Sequence, residues 1–252
     1  METWGSEGII LKRIDLGEAD KLVTIFTKSR GKVKAIARGV RRVKSRRAPN
    51  IELLNHAKIY FSQNRGFHTL QEALVIEAFQ PLKADLKKIA LAYRLAEVTD
   101  RLFNEHEESK IVFEMLRRAF QSLSFGKEAL ADKVSVLAFE LKVLEQAGFR
   151  PQLYMCSKCR SPLSPQTQLL AADFGGLLHR HCATESLLSR PVSMEGIKLM
   201  RFLLDQAWEQ IEKLSLSSPL LAEVEQAVTF YLEYTLESRL NSSKFLAKVE
   251  DL

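Results

Sequence analysis

Three cysteines and two histidines crowd one stretch, "YMCSKCRSPLSPQTQLLAADFGGLLHRHC", from Tyr154 to Cys182. Cys156 and Cys159 form a CxxC; nineteen residues intervene before His179 and Cys182 form an HxxC. Thiolate sulfur and imidazole nitrogen are the donors zinc prefers, and two short knuckles spaced in this way bring four of them around one ion. Three thiolates and one imidazole complete a tetrahedron and leave no position open for a substrate. The pattern therefore predicts one structural Zn2+ rather than a catalytic one. His181 adjoins Cys182 and fits the two-knuckle symmetry less well than His179, and Asp173 fits less well again. The plain alternative is thiols and imidazoles that are merely neighbours in sequence.

A second stretch offers electrostatics instead of coordination. "KSRGKVKAIARGVRRVKSRR", Lys28 to Arg47, holds ten Lys or Arg and no acid. Strand alternation would set Lys32, Lys34 and Arg38 on one face, with Val33, Ala35 and Ala37 on the other, so one face is core and the other cationic. Arg41, Arg42, Lys44, Arg46 and Arg47 follow in a segment too charged to bury, read as a long loop to a strand beginning near Glu52. Such a stripe and arm suit a phosphate backbone; a merely solubilising run is the bland alternative. Tyr60, on the strand face of Lys58, and Phe67 on a hairpin could stack bases, although each is also an ordinary barrel residue.

The elements that must position these groups change period along the chain. "EGIILKRI", "KLVTIFTK", "GKVKAIARGV", "LLNHAKIYFS" and "HTLQEALVIEAF" are short, rich in β-branched and aromatic residues and separated by Gly, Pro, Asn and Ser. Five strands in the first eighty residues or so predict a small β-barrel of the OB type, with an SH3-like barrel giving a similar string. After Pro81 the spacing becomes helical, in Leu82, Leu86, Ile89, Tyr93 and Ala96, and again in Val134, Leu137, Leu141 and Leu144 before a stop at Gly148. Further helices are expected from Ser193 to Leu214 and from Leu220 to about Leu240, the latter opened by Pro219. The expectation is an α+β multidomain chain. It has a five-stranded OB-type barrel at 1–80 and an all-α domain at 81–252, the latter carrying a zinc-ribbon-like knuckle at about 151–190.

Bulk properties narrow the function classes. The chain has 252 residues and a net charge of +6. Residues 1–80 carry 15 bases against 8 acids, while 81–252 carry 22 against 23. The excess sits entirely beside the barrel, which points to a polyanionic partner. No apolar run approaches the roughly 20 residues of a membrane span, and the start has no signal-peptide pattern, so a cytoplasmic protein is expected. Three cysteines fit metal ligation in a reducing compartment better than a disulfide framework. No phosphate-binding GxxxxGK[ST] loop, GxSxG elbow or HExxH is present. Asp15, Glu18 and Asp20 are the one tight acidic group near the basic surface, and "LGEAD" reads as a hairpin turn rather than a nuclease centre. Nothing in the motifs predicts an enzyme.

Taken together, the chain resembles the RecO family of bacterial DNA repair and recombination mediators. The resemblance runs nearly end to end and is carried by "LGEADKLVTIFTKSRGKVKAIARGVRRVKSR", "FELKVLEQAGFRPQLYMCSKC", "GGLLHRHC" and "YLEYTLESRLNSSKFL". It implies an OB-fold domain joined to a helical domain, without enzymatic activity. It further implies binding of single- and double-stranded DNA and annealing of complementary strands. The implied partners are the acidic tail of the single-stranded-DNA-binding protein (SSB) and RecR, with which such proteins let RecA load on SSB-coated DNA. Association with the nucleoid follows. Zinc-bearing members of the family usually show a second CxxC, where this chain has His179. A module of another kind, reading RNA or DNA through Lys158, Arg160 and Arg180 on the knuckle, is the competing expectation.

Overall fold

A computed structural model describes residues 2–42, 45, 47–64, 66–126 and 128–250. The chain forms two compact units, one of Met1–Phe125 with Lys244–Leu252, the other of Gly126–Ser243.

In the first unit, β1 (Glu2–Leu16), β2 (Asp20–Thr27), β3 (Gly31–Ala37), β4 (His56–Asn64) and β5 (Phe67–Glu77) close a barrel in the order β1-β2-β3-β5-β4. β1 is long enough to serve two neighbours: Gly8–Leu16 pair with β2 and Glu2–Ile9 with β4. A register shift between Ile10 and Lys12 bends it around the barrel. The remaining seam is the parallel contact of β3 with β5 at Ala35↔His68 and Ile36↔Thr69. Alternating residues fill the interior, among them Ile10, Val23, Ile25, Val33, Ala35, Ile59, Phe61 and Leu70. This is the five-stranded barrel the strand pattern predicts.

The connection out of β3 differs from the expected open loop. A 3-10 turn at Ala48–Ile51 buries Ile51, and Leu54 is buried after it, so this stretch plugs one end of the barrel. Leu54 N–H donates to the Ile10 carbonyl at 2.9 Å, and Ile10 N–H donates to the Asn55 carbonyl at 3.0 Å. β4 consequently starts at His56 rather than near Glu52.

The helices of this unit are α1 (Gln80–Lys83), α2 (Leu86–Leu102) and α3 (Lys110–Phe125), with the part of the last helix from Lys244 onward. Asp85 caps α2 by accepting from the N–H groups of Lys87 and Lys88. Buried Phe103, just past α2, packs edge-on against Phe26 of β2, with ring centroids 5.7 Å apart. Phe113 of α3 does the same to His56 at 5.6 Å. These aromatic contacts fasten the helices to the barrel.

The second unit holds α4 (Ala129–Gln146), a three-stranded sheet of β6 (Gln168–Ala171), β7 (Gly176–Leu178) and β8 (Ser189–Val192), then α5 (Met194–Asp205), α6 (Trp208–Ile211) and α7 (Ser218–Thr235). α8 (Asn241–Glu250) closes the chain. The helix expected through Leu214 is broken at Gln206. Lys142 donates to the carbonyls of Leu204 and Gln206 at 2.7 and 2.9 Å, so the open end of α5 is satisfied without a further turn. The last expected helix ends early at Thr235 because Glu237 takes a left-handed φ of 52°. The sheet order is β7-β6-β8, and the cysteines sit around its β7 edge.

Candidate nucleic-acid surface and metal centre

Two knuckles build the metal centre. In the first, Cys156 N–H donates to the Ser161 carbonyl and Arg160 N–H to the Cys156 carbonyl, both at 2.9 Å, with Arg160 at a left-handed φ of 62°. In the second, Cys182 N–H donates to the His179 carbonyl at 2.9 Å as β7 runs into a 3-10 turn. The sulfurs of Cys156, Cys159 and Cys182 and a ring nitrogen of His179 lie within 4.8 Å of one another.

Their surroundings suit a divalent ion. Cys159 Sγ is 3.5 Å from His179 Nδ1, while His179 Nε2 lies 3.1 Å from the Pro162 carbonyl. An N–H at Nε2 donating to that carbonyl leaves the Nδ1 lone pair facing the sulfurs, the outer-shell arrangement of a ligating histidine. The Ser161 backbone N–H brings the Cys159 thiol down to about 7. Burial, with the other two thiols, pushes Cys182 up to about 11. Cys156 is held below the usual thiol range as well, so the third thiolate, at Cys182, is the one that needs a cation sharing the space. The donor set fits a tetrahedral structural site. His181 stacks on His179 with centroids 5.2 Å apart but is exposed and outside the donor cluster. Asp173 is engaged by Ser186 Oγ and the Leu187 N–H.

The basic run separates into two populations. Lys32 is buried, its ammonium donating to the Asp100 carbonyl and lying 3.3 Å from the Asp100 carboxylate. Lys34 is exposed and pairs with Glu105 at 2.6 Å. Lys28 meets Glu114 and Arg30 meets Glu2, each at 2.8 Å, with Arg30 also 4.4 Å above the Trp4 ring. Arg41 fastens the β1–β2 hairpin, donating to the Gly17 carbonyl at 2.6 Å and reaching Asp15 at 3.3 Å. Arg38, Arg42 and Arg47 are exposed and make no ion pair among the described residues. Lys44 and Arg46 lie outside the described residues.

Tyr60 stands half-exposed on the outer barrel face. Its ring covers Gly5 so closely that a Cβ there would come within 2.9 Å of it, and Lys58 Nζ lies 5.8 Å from its centroid. Phe67 is more exposed still, at the β4–β5 hairpin. The acidic group near this surface is consumed structurally: Asp15 pairs with Lys21 and Arg41, and Asp20 accepts from the Gly39 N–H at 2.7 Å. The acids on Lys32 and Lys34 were invisible to local spacing, since Asp100 lies 68 residues beyond Lys32.

On the knuckle, Lys158 pairs with Glu185 at 2.7 Å, whereas Arg160 and Arg180 are exposed without an ion pair among the described residues. No helix among the described residues is long and apolar enough to cross a membrane.

Two family models match consecutive stretches of the chain. The family model "Recombination protein O N terminal" matches residues 1–79, and "Recombination protein O C terminal" matches residues 83–244. A DNA repair protein RecO from a Roseiflexus species is 36% identical over 247 residues, covering 98% of this chain and 86% of that protein. The DNA repair protein RecO of Symbiobacterium thermophilum is 32% identical over 249 residues, covering 98% and 97%. That of Moorella thermoacetica is 29% identical over 245 residues, covering 97% and 90%. With both halves matched in order and relatives aligned end to end, the chain belongs to the RecO family of DNA repair proteins.

Proposed function

We propose that this repair protein is a non-catalytic, DNA-binding recombination mediator of the cytoplasm and nucleoid, with residues 1–80 as its nucleic-acid-binding domain and 81–252 as its helical one. It binds single- and double-stranded DNA and anneals complementary strands. With RecR it helps RecA load on DNA coated by SSB, whose acidic tail it engages. One observation carries the reading. Arg38, Arg42 and Arg47, in the acid-free run that follows β3, are exposed with no ion pair among the described residues to occupy them.

Holding two strands by their phosphates lowers their mutual repulsion without reading bases, so base pairing itself supplies the specificity. Tyr60 offers an aromatic face for a base beside this surface. Lys44 and Arg46 extend the same arm in sequence. Lys32, committed to Asp100, supports the barrel instead. Cys156, Cys159, His179 and Cys182 hold one Zn2+, which supplies cross-linking of the two knuckles and no reaction chemistry.

The second reading makes the knuckle the reader of RNA or DNA, favoured by the unpaired Arg160 and Arg180. The two are separated by charge reversal. Arg38→Glu with Arg42→Glu should weaken binding of a plain oligonucleotide by tenfold or more and flatten its salt dependence. Arg160→Glu with Arg180→Glu should change it little. The opposite ranking transfers the function to the knuckle.

A further inference from the structure

Residues 104–108, "NEHEE", pair along the edge of β3 at Lys32, where β5 does not reach, and lay acid on its cations. The approach is close and directional. Lys32 and Glu105 form a parallel bridge, and His106 N–H donates to the Lys32 carbonyl at 2.9 Å. At Gly31, held at φ 60°, a Cβ would come 1.9 Å from the Glu107 carbonyl oxygen, so the glycine is what allows this segment to seat. Glu105 then meets Lys34 at 2.6 Å.

The segment is tied down at both ends and exposed between them. Phe103 is buried against Phe26. Ser109 Oγ accepts from the Val112 N–H at 3.2 Å at the start of α3. Asn104, Glu105, His106, Glu107 and Glu108 are all exposed. Displacing these five would leave the core contacts of Phe103 in place.

The two ion pairs differ in what they can do. Lys32 and Asp100 are mostly shielded, with side-chain exposures of 11% and 21%, and their pairing belongs to the fold. Lys34 and Glu105 are 47% and 42% exposed, so water screens them and the pair is worth only about a two- to five-fold factor in an equilibrium. A row of phosphates can replace one carboxylate at that cost.

We propose that residues 104–108 are an intramolecular phosphate mimic, a strap whose Glu105 occupies Lys34 until the backbone of a nucleic acid displaces it. This rests on the reading of the barrel as the nucleic-acid surface. Lys34 is thereby added to the binding site only when the strap lifts, which makes the barrel's affinity adjustable at Glu105 without touching the free arginines. A protein partner that drew the acidic strap away would tighten the grip on DNA by the same route.

The test is anisotropy of a labelled oligothymidylate of about 30 nucleotides over a salt series, using the full chain. Glu105→Gln should bind about two- to five-fold tighter at low salt, with a steeper log-log salt slope, because added salt weakens the competing Lys34–Glu105 pair only in the unaltered protein. Glu108→Gln removes the same charge from an exposed neighbour and should leave the slope unchanged. In a Lys34→Gln background the Glu105→Gln gain should vanish. Equal effects of the two glutamate variants, or a gain that survives without Lys34, overturn the strap while leaving the barrel reading intact. If Arg38→Gln with Arg42→Gln binds as tightly as the unaltered protein, both the barrel reading and the strap fall.

Discussion

The barrel and the cysteine knuckle hold their shapes in opposite ways. The barrel buries a continuous set of β-branched and aromatic side chains, each strand paired on both edges, so no edge is left to water. The cysteines of the knuckle share a small cluster of Cys156, Ala171, Leu178 and Cys182, with Leu163, Phe174 and Ala183 against it, while Leu153, Leu170 and Leu177 are buried besides. So small a cluster leaves a role for a metal: four donors around one ion would tie the two knuckles together. Both regions expose arginines without an ion pair among the described residues, Arg38 and Arg42 beside the barrel and Arg160 and Arg180 on the knuckle. The proposed placement of function rests on the barrel being a scaffold that is stable without its surface.

The largest expected effect breaks the weaker region. Structural zinc contributes about 10–16 kcal/mol in small isolated knuckles. Chelation, or Cys156→Ser, should therefore abolish amide-exchange protection of Leu170, Leu177 and Leu178 while the barrel strands stay protected. Equal loss of protection in both regions would remove the contrast. A smaller effect probes the stronger region: Ile59→Ala, in the barrel interior, should cost about 2–5 kcal/mol in denaturant unfolding and leave the metal content at one ion.

The smallest effect is a pH dependence confined to the barrel. His68 is buried edge-on against the stacked rings of Trp4 and Phe61, and neither ring nitrogen has a hydrogen-bond partner among the described residues. Burial, then the nearby His106 and Arg30, holds it below its usual 6.5. The unfolded chain takes up the proton first as pH falls. The contribution of neutral His68 is thus complete above about 6.5 and is lost as pH drops through the lower folded value. His56 is lowered by burial as well, opposed by Glu7. Thermal midpoints should fall below pH 6.5, and His68→Phe should flatten part of that fall without a penalty at pH 8. An unchanged profile would assign the acid sensitivity to His56 alone.

Local chemistry made much of this legible from residues alone. Alternation in β3 marked the strand because Val33, Ala35 and Ala37 meet the core. CxxC and HxxC named four donors because a knuckle fixes its ligands within a few residues of chain. What depended on distant partners was hidden. The acid-free run around Lys32 and Lys34 looked uniformly available, yet Asp100 on α2 and Glu105 just beyond it engage them. The break between α5 and α6 was hidden for the same reason, since the group that satisfies the α5 carbonyls is Lys142 on α4. The plug formed by Ile51 and Leu54 lay unseen because the charged residues before it suggested an open loop.

The central claim is that the barrel's free cations bring DNA strands together without chemistry. It is tested most directly by following annealing of complementary oligonucleotides precoated with their cognate SSB, without nucleotide triphosphate, from about 50 to 200 mM salt. The unaltered protein should accelerate pairing, the acceleration should fade with salt, and Arg38→Glu with Arg42→Glu should abolish it. Pairing no faster than in the protein-free control, despite tight binding to naked strands, would contradict the account.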